Sequence, residues 1–475
     1  MNNAAAVDET LTRKSATELV ELIATRKVNP REVLDAHLAV IERLNPKLNA
    51  VVTLVIDQAR EAARAAETTI ARGEKPGTLH GLPILIKDVT LTQGIRTTFG
   101  SPLFHDFVPN EDAEVVRRLK AAGAVILGKT NTPEFATGAN TVNDVFGATR
   151  NPWNPALSPA GSSGGSAVAV ATGMVPLAQG TDFGCSIRIP AAFCGIVGIR
   201  PTPGLTPNYP MALAWDPGQV HGPLARSAED AALMLDAMVG FSTLSPISVA
   251  PPWASAHAIV AQARDARGLR IAYASDIAGI GVDAEIDGIC RSTASRLADA
   301  GARVEEIKFD VSDGRDPYQA WRGLWMVGQR VEHLAQLEAF GENLRGNVER
   351  GLAVTTLELA EAERKRHEVF QRFRRLFESY DLLLTPAAPV KPYPVEMNFP
   401  NELNGRSFEN YVDWIAPAFL VTLVSLPAAS VPAGKTRDNL PVGLQIVAPR
   451  FQEPRILSLA KLVQQQNPIG WPPGV

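Results

Sequence analysis

Apolar residues recur at helical spacing along the first part of the chain. Ser15 stands in a capping position before Leu19, Leu22 and Ile23, and the stretches from Pro30 to Leu44 and from Ala59 to Ala71 keep the same period, so residues 15–72 are predicted to be helical. The pattern then changes. LPILI at 82–86 is a short unbroken apolar run, expected to form a buried strand, and it ends on Lys87 and Asp88. EDAEVVRRLKAAG returns to helical spacing and closes at Gly123, after which AVIL at 124–127 reads as the next strand. VPLAQGTDFGCSIRIP predicts a strand, a turn and a serine at 186, and GPLARSAEDAALMLDAMV at 222–239 predicts a helix capped by Ser227. From about 251 to 375 the chain is mostly helical apart from a strand at LRIAYAS. Strand-like runs return at DLLLTP, SLPAASVPA and PVGLQIVAP, before a last helix from near Pro454 to Gln465.

Helices alternating with strands predict an α/β protein. The late strands are expected to rejoin the early sheet, giving one interwoven domain over 1–475. Its parts are a helical N-terminal region (1–75), a core (76–240), a mostly helical variable region that contributes to substrate binding (251–375) and C-terminal strands with a helix (380–475). No internal repeat and no linker stands out. The chain has 475 residues, of which 45% are hydrophobic, enough for a sizeable core. Lys plus Arg number 46 against 50 Asp plus Glu, and a net charge of −4 gives no reason to expect nucleic acid or an anionic membrane as partner. The three cysteines, Cys185, Cys194 and Cys290, make neither a disulfide framework nor a metal signature, and the seven His are scattered, so no metal is expected. No segment reaches the roughly 20 apolar residues that span a bilayer. The opening MNNAAAVDETLTRKSATELVELI has no apolar run long enough for a signal peptide, and the expected location is cytoplasmic.

Residues 123–130, GAVILGKT, satisfy the phosphate-binding pattern G-x-x-x-x-G-K-[ST] and raise a nucleotide-binding alternative. The pattern is in the wrong setting. A helix precedes Gly123 where a strand is required, the four variable residues are Ala, Val, Ile and Leu, and Pro133 interrupts the place of the phosphate-capping helix. A strand followed by a loop is expected instead.

SPAGSSGGSAVAVATG at 158–173 has the composition of a flexible linker, but its second half is too apolar to remain in water. Ser162 and Ser163 are expected at the mouth of a buried helix of small residues. GLPILIKD with Lys87, PAGSSGGSA with Ser162 and Ser163, and GTDFGCSIRIPAAFCGIVGIRPT with Ser186 occur in this order, Ser186 lying 24 residues after Ser162. With these motifs the chain resembles the amidase signature family of serine hydrolases. The likeness is densest from about His80 to Asp236 and returns in LLLTPAAP and LPVGLQIVAP. It implies one large domain whose central mixed, twisted sheet is covered by helices on both faces.

The resemblance implies a Ser-Ser-Lys triad, with Ser186 as nucleophile, Ser162 as bridging serine on a cis peptide bond and Lys87 as base. It also implies an oxyanion hole of N–H groups at Phe183, Gly184, Cys185 and Ser186, braced by Ser163, Asp182 and Arg188. The chemistry is coherent. A serine hydroxyl attacks only when a neighbour takes its proton, a lysine can do so only if burial keeps it neutral, and a hydroxyl between them can accept and donate at once. Two departures stand out. Gly184-Cys185-Ser186 replaces the usual Gly-Gly-Ser, and Ala160 replaces the first glycine of Gly-Gly-Ser-Ser-Gly-Gly, the smaller departure of the two. A positive φ at 185 would strain a cysteine; without one its side chain is expected to line the pocket. Cys185 as nucleophile is disfavoured, because its position matches an oxyanion-hole residue and no His adjoins it.

The substrate pocket is expected to involve the loop PNYPMALAWDPGQVHG at 207–222, with Tyr209 and Trp215, and the helix beginning at Asp316 and Pro317, with Tyr318, Trp321 and Trp325. Such an aromatic stripe is more often core than pocket. Leu423, Val424 and Ser425 are expected near the same cavity. The function these residues point to is a cofactor-free amidase cleaving the C–N bond of a small amide, anilide or carbamate through an acyl-serine. The alternatives are a glutaminase subunit of a tRNA amidotransferase, or a non-catalytic or nucleotide-binding protein. A homodimer is left open.

Overall fold

The structure, a computed structural model, describes residues 9–475; the opening residues 1–8, part of the segment read above as lacking a signal peptide, lie outside the described residues. Local chemistry starts the first helices. Ser15 Oγ accepts from the Glu18 N–H at 3.1 Å and the Glu18 carboxylate accepts from the Ser15 N–H at 2.7 Å, a reciprocal cap on helix Ala16–Ala24. Asn29 and Glu32 repeat it ahead of helix Pro30–Leu48, whose first residue is a proline with no N–H to waste. Leu19 and Ile23 face the core.

An eleven-stranded mixed sheet runs through the molecule. Across it the strands are Val51–Leu54, Val125–Thr130, Pro83–Lys87, Leu177–Asp182, Val220–Ala225, Val197–Arg200, Ala428–Lys435, Pro441–Val447, Leu382–Pro386, Arg270–Tyr273 and Arg303–Glu306. Ala428–Lys435 pairs antiparallel with Val197–Arg200, Ser430 opposite Gly198, and this ladder joins the late strands to the early sheet. Helices cover both faces of this one domain, and among the described residues none is long and apolar enough to cross a membrane.

Strand parity positions the site. Pro83–Lys87 is buried at every position and lies parallel to both neighbours, Val125–Thr130 and Leu177–Asp182. Ile84 and Ile86 pack into the core on one face, while Leu85 packs on the other with Ala167 to Ala171. Alternation therefore turns Lys87 to the face of the small-residue helix Gly164–Ala171. That helix approaches the sheet closely because a Cβ on Gly165 would stand 2.5 Å from Asn131 N, a contact only glycine avoids.

Four sequence expectations change. Val51–Leu54 is a strand inside the stretch 15–72 expected to be helical, and Arg303–Glu306 is a second strand inside 251–375, where only LRIAYAS was expected to be one. Residues 220–225 pair with Leu177–Asp182 as a strand, and the helix expected from 222 runs only over Ala228–Met238, capped by Ser227. A short apolar run next to a helix carries no period that separates the two states. In GAVILGKT the strand does not stop at Leu127 but continues through Gly128 and Lys129 to Thr130. Lys129 is fully buried and its Nζ donates to Thr90 O at 2.6 Å and Thr97 Oγ1 at 2.8 Å, so this lysine faces no phosphate site.

Candidate active site

Lys87 ends its strand with no exposed surface. Three hydroxyls surround its Nζ: Ser162 Oγ at 2.6 Å, Ser163 Oγ at 2.9 Å and Thr181 Oγ1 at 3.0 Å. Burial penalises the ammonium form and brings the Lys87 pKa down to about 7, against the opposing pull of Asp182 and Cys185. In the neutral form two N–H bonds and one lone pair must serve three hydroxyls, so one hydroxyl donates to the amine. Ser163 Oγ already donates to Thr181 O at 3.2 Å. The closest neighbour, Ser162, is the one suited to give its proton to Lys87.

Ser162 and Ser163 stand just ahead of helix Gly164–Ala171, Ser163 at its N-cap, as the small-residue pattern predicts. The Gly161–Ser162 peptide is cis. Thr141 Oγ1 donates to Ala160 O at 2.8 Å and accepts from the Gly164 N–H at 3.1 Å, clamping the turn at both ends. Ala160 is the residue with left-handed backbone here, at φ 62°, whereas Cys185 has no positive φ. The ranking of the two departures from glycine thus reverses: alanine sits where a Cβ is conformationally costly, and cysteine does not.

The turn after strand Leu177–Asp182 is built on one buried carboxylate paired with two buried arginines. Asp182 Oδ1 and Oδ2 accept from Arg188 Nη2 at 2.9 Å and Nε at 3.1 Å, and Oδ2 also accepts from the Ile187 N–H at 3.0 Å. Burial pushes the Asp182 carboxyl up, but Arg188 and Arg200 outweigh it and hold the group below the usual carboxylate range. Arg188 Nη2 reaches on to Gly184 O at 2.7 Å, and Arg200 Nη1 donates to Asp182 O at 2.6 Å. The loop is fixed from its inner side. The N–H groups of Gly184, Cys185 and Ser186 take no hydrogen-bond partner among the described residues and remain available to an oxygen.

Ser163 N–H donates to Ser186 O at 3.1 Å, tying the two serine segments together. Ser186 is partly exposed while its neighbours in the turn are buried. Its Oγ makes no hydrogen bond to Ser162 Oγ; the hydroxyls share the wall of one cleft. Cys185 is buried, with its Sγ 3.6 Å from Gly161 O, and burial pushes its thiol well above the ordinary range. Burial thus favours the protonated thiol, the less reactive form.

The cleft walls divide the expected pocket residues. Tyr318 and Trp325, from helix Arg315–Gly328, line it together with Phe183, and Phe183 stacks on Trp325 at 4.4 Å between ring centroids. Trp321 is buried one layer behind, its Nε1 donating to Asp216 Oδ2 at 2.8 Å. Trp215 stands 77% exposed and Tyr209 donates to the Glu111 carboxylate at 3.3 Å; neither lines the cleft. Leu423 and Val424 are buried in the core away from it, Ser425 does not line it either, and the contribution from this part of the chain is Ile415. The loop 207–222 reaches the cleft through Gln219. Sequence reading missed Thr181, Arg200, Met326, Tyr411 and, above all, Arg322, a buried arginine on the same helix face as Tyr318 and Trp325. The i, i+4, i+7 spacing of 318, 322 and 325 was the available signal.

A family model described as Amidase matches residues 32–457. An acylamidase of Rhodococcus erythropolis is 34% identical over 464 residues, covering 96% of this chain and 95% of its own. One subunit of the glutamyl-tRNA(Gln) amidotransferase of Methylococcus capsulatus is 36% identical over 485 residues, covering 95% and 97%. A solved structure of a bacterial aryl acylamidase of the amidase signature family superimposes with a TM-score of 0.87 at 29% identity, over 95% of this chain and 96% of the other. That of 6-aminohexanoate cyclic dimer hydrolase gives 0.85 at 27% identity, over 97% and 99%.

Proposed function

The chain belongs to the amidase signature family and is a hydrolase of carbon–nitrogen bonds, and from this premise we propose that it cleaves a small acyl amide or anilide through an acyl-enzyme on Ser186. The observation that carries the reading is Lys87: a buried amine with a pKa of about 7, 2.6 Å from the Ser162 hydroxyl, in the cleft that holds Ser186.

Ser186 Oγ attacks the carbonyl carbon and its proton passes to Ser162, whose own proton moves to Lys87. The oxygen, now negative, is held by the N–H groups of Gly184, Cys185 and Ser186. Collapse breaks the C–N bond as the proton returns from Lys87 through Ser162 to the leaving nitrogen. The amine departs, leaving an ester on Ser186. Water then attacks that ester, losing its proton along the same path, and the acid is released with Ser186 reprotonated. For this relay the two serine hydroxyls must close to hydrogen-bond distance when substrate is bound, as catalytic contacts commonly do.

The acylamidase and aryl acylamidase relatives support an acyl amide or anilide as substrate, and a carbamate, which presents the same carbonyl, is the nearby variant. The cleft lining weighs against glutamine, the substrate of the amidotransferase reading. No carboxylate lines it among the described residues, so the α-ammonium of glutamine meets no counter-charge. The parts of the domain divide the work in this proposal: 76–240 carries the triad, and 251–375 supplies the wall of Tyr318, Arg322 and Trp325. Three unpaired, buried cysteines suit a reducing compartment such as the cytoplasm.

The test is treatment with a serine-reactive fluorophosphonate, followed by intact mass and peptide mapping, beside Lys87→Ala. The expected result is one adduct on Ser186 that forms far more slowly in the variant. An adduct elsewhere, or none at alkaline pH, overturns the mechanism.

A further inference from the structure

Arg322 projects from helix Arg315–Gly328 into the wall shared by the cleft and by a larger groove of about 920 Å³ on its outer side. It is 5% exposed, and its guanidinium is bound by two neutral groups, the Asn347 side-chain oxygen and the Tyr411 hydroxyl. The same Asn347 Oδ1 also accepts from Arg350 Nη2 at 2.9 Å. Two cations thus converge on one uncharged oxygen, and neither makes an ion pair with a carboxylate among the described residues. Asp182 is committed to Arg188 and Arg200. On the outer side the groove carries Asp313, Asp316, Glu358, Glu361 and Glu409, but Asp313 is taken by Lys365 and Arg372 and none of the five reaches Arg322 at ion-pair distance.

A buried guanidinium without a counterion is costly, and burial is tolerated when an anion arrives to pair with it. The planar fork of Arg suits a carboxylate, which it can hold through two parallel hydrogen bonds. The surroundings specify the rest of the ligand. The cleft that Arg322 shares with Ser162 and Ser186 is also lined by Tyr318, Trp325, Met326 and Ile415, an apolar and aromatic set.

We propose that Arg322 recognises a carboxylate carried by the substrate, so that the preferred amide has an anionic end separated from the scissile bond by an apolar or aromatic segment. The proposal rests on the amidase reading above and names the substrate class for the same site. Asn347 and Tyr411 orient the guanidinium, and the carboxylate replaces the missing counterion. With no carboxylate lining the cleft among the described residues, the site selects a plain anion over an amino acid zwitterion.

The test uses two matched pairs of substrates: the anilide of an aliphatic dicarboxylic acid with its terminal carboxylate free or converted to the primary amide, and an N-acyl aminobenzoate against its benzamide counterpart. The ratio of kcat/KM, charged over uncharged, is measured for the wild type, Arg322→Gln and Arg322→Lys. The wild type is expected to favour the carboxylate in at least one pair by about tenfold to a hundredfold, the range for a charge-assisted hydrogen-bonded pair. Arg322→Gln should collapse that ratio towards one, mostly through KM, and Arg322→Lys, which keeps the charge but loses the fork, should fall between. A wild-type ratio near one in both pairs overturns the proposal, as does a ratio unchanged in Arg322→Gln, which would make the arginine a structural brace. Where turnover of a pair is too slow to measure, the same comparison is read from protection: benzoate should slow fluorophosphonate labelling of Ser186 in the wild type and not in Arg322→Gln. Labelling of Ser186 without any carboxylate preference or protection sinks this inference alone; failure to label Ser186 sinks the acyl-serine reading beneath it.

Discussion

Lys87 Nζ lies 2.6 Å from Ser162 Oγ, and neither residue has exposed surface. A lysine in that position is either a buried cation with no carboxylate in contact or a neutral amine ready to take a proton. Burial, the largest influence on it, favours the second.

Activity is therefore expected to rise with pH. The reactive form is neutral Lys87, and with a pKa of about 7 its fraction falls tenfold for each unit below that value. A profile of kcat/KM on an anilide should show a single limb near neutrality and then level off. A profile flat down to about pH 5 would rule out the amine as base. Lys87→Ala should lose about a hundredfold to ten-thousandfold in rate, the usual worth of a general base.

The same residue weakens the fold. Its folded pKa lies below the ordinary lysine value, so between pH 7 and 10.5 the unfolded chain binds more protons, and the stability of the wild type rises as pH rises through that window. Lys87→Met removes this dependence. The gap in melting temperature between variant and wild type should move in favour of the variant as pH falls from about 10 to 7 and stay constant below. A pH-independent gap would show that Lys87 titrates normally.

Asp182→Asn should leave Arg188 and Arg200 buried without their anion. Loss of one partner from a buried pair costs about 3–5 kcal/mol, and urea unfolding of the variant is expected to show a loss of that size. Because the carboxyl is held below its ordinary range, the contribution is present above the unfolded value and disappears as pH falls through the folded one. The destabilisation should thus shrink in strong acid.

Cys185 should resist alkylation in the native enzyme, since its thiol is buried and kept protonated. Iodoacetamide at mildly alkaline pH is expected to leave turnover intact, and Cys185→Ala to keep most of it. Rapid inactivation traced to Cys185 would reopen the thiol as nucleophile.

Trp325 and Trp215 should differ sharply. Trp325 lines the cleft and stacks on Phe183, so Trp325→Ala should raise KM for aromatic amides by about tenfold, matching the loss of an aromatic stack and its buried area. Trp215 stands 77% exposed, and Trp215→Ala should change KM by less than about twofold. Equal effects would mean that the loop 207–222 closes over the substrate.

Much of this was legible in the chain. The run LPILIKD announces a buried strand with a lysine at its end, and Gly-Ser-Ser-Gly-Gly followed by small apolar residues announces a tightly packed helix; both depend on neighbours in sequence. GPLARS misled because a short apolar run next to a helix has no period of its own. Ala160 was underrated because its left-handed φ arises from the turn that Thr141 clamps, 19 residues away.

The sequence by itself determined the α/β class, the order of the three motifs and the residue types able to do the chemistry, because period, capping and turn chemistry are local properties. Only the tertiary structure decided that Lys87 is stripped of water, that Arg200 joins Arg188 on Asp182, and that Arg322 lines the cleft with no carboxylate at ion-pair distance among the described residues. Desolvation and charge pairing depend on what segments far apart in the chain place around a group, and the folded packing alone supplies those surroundings.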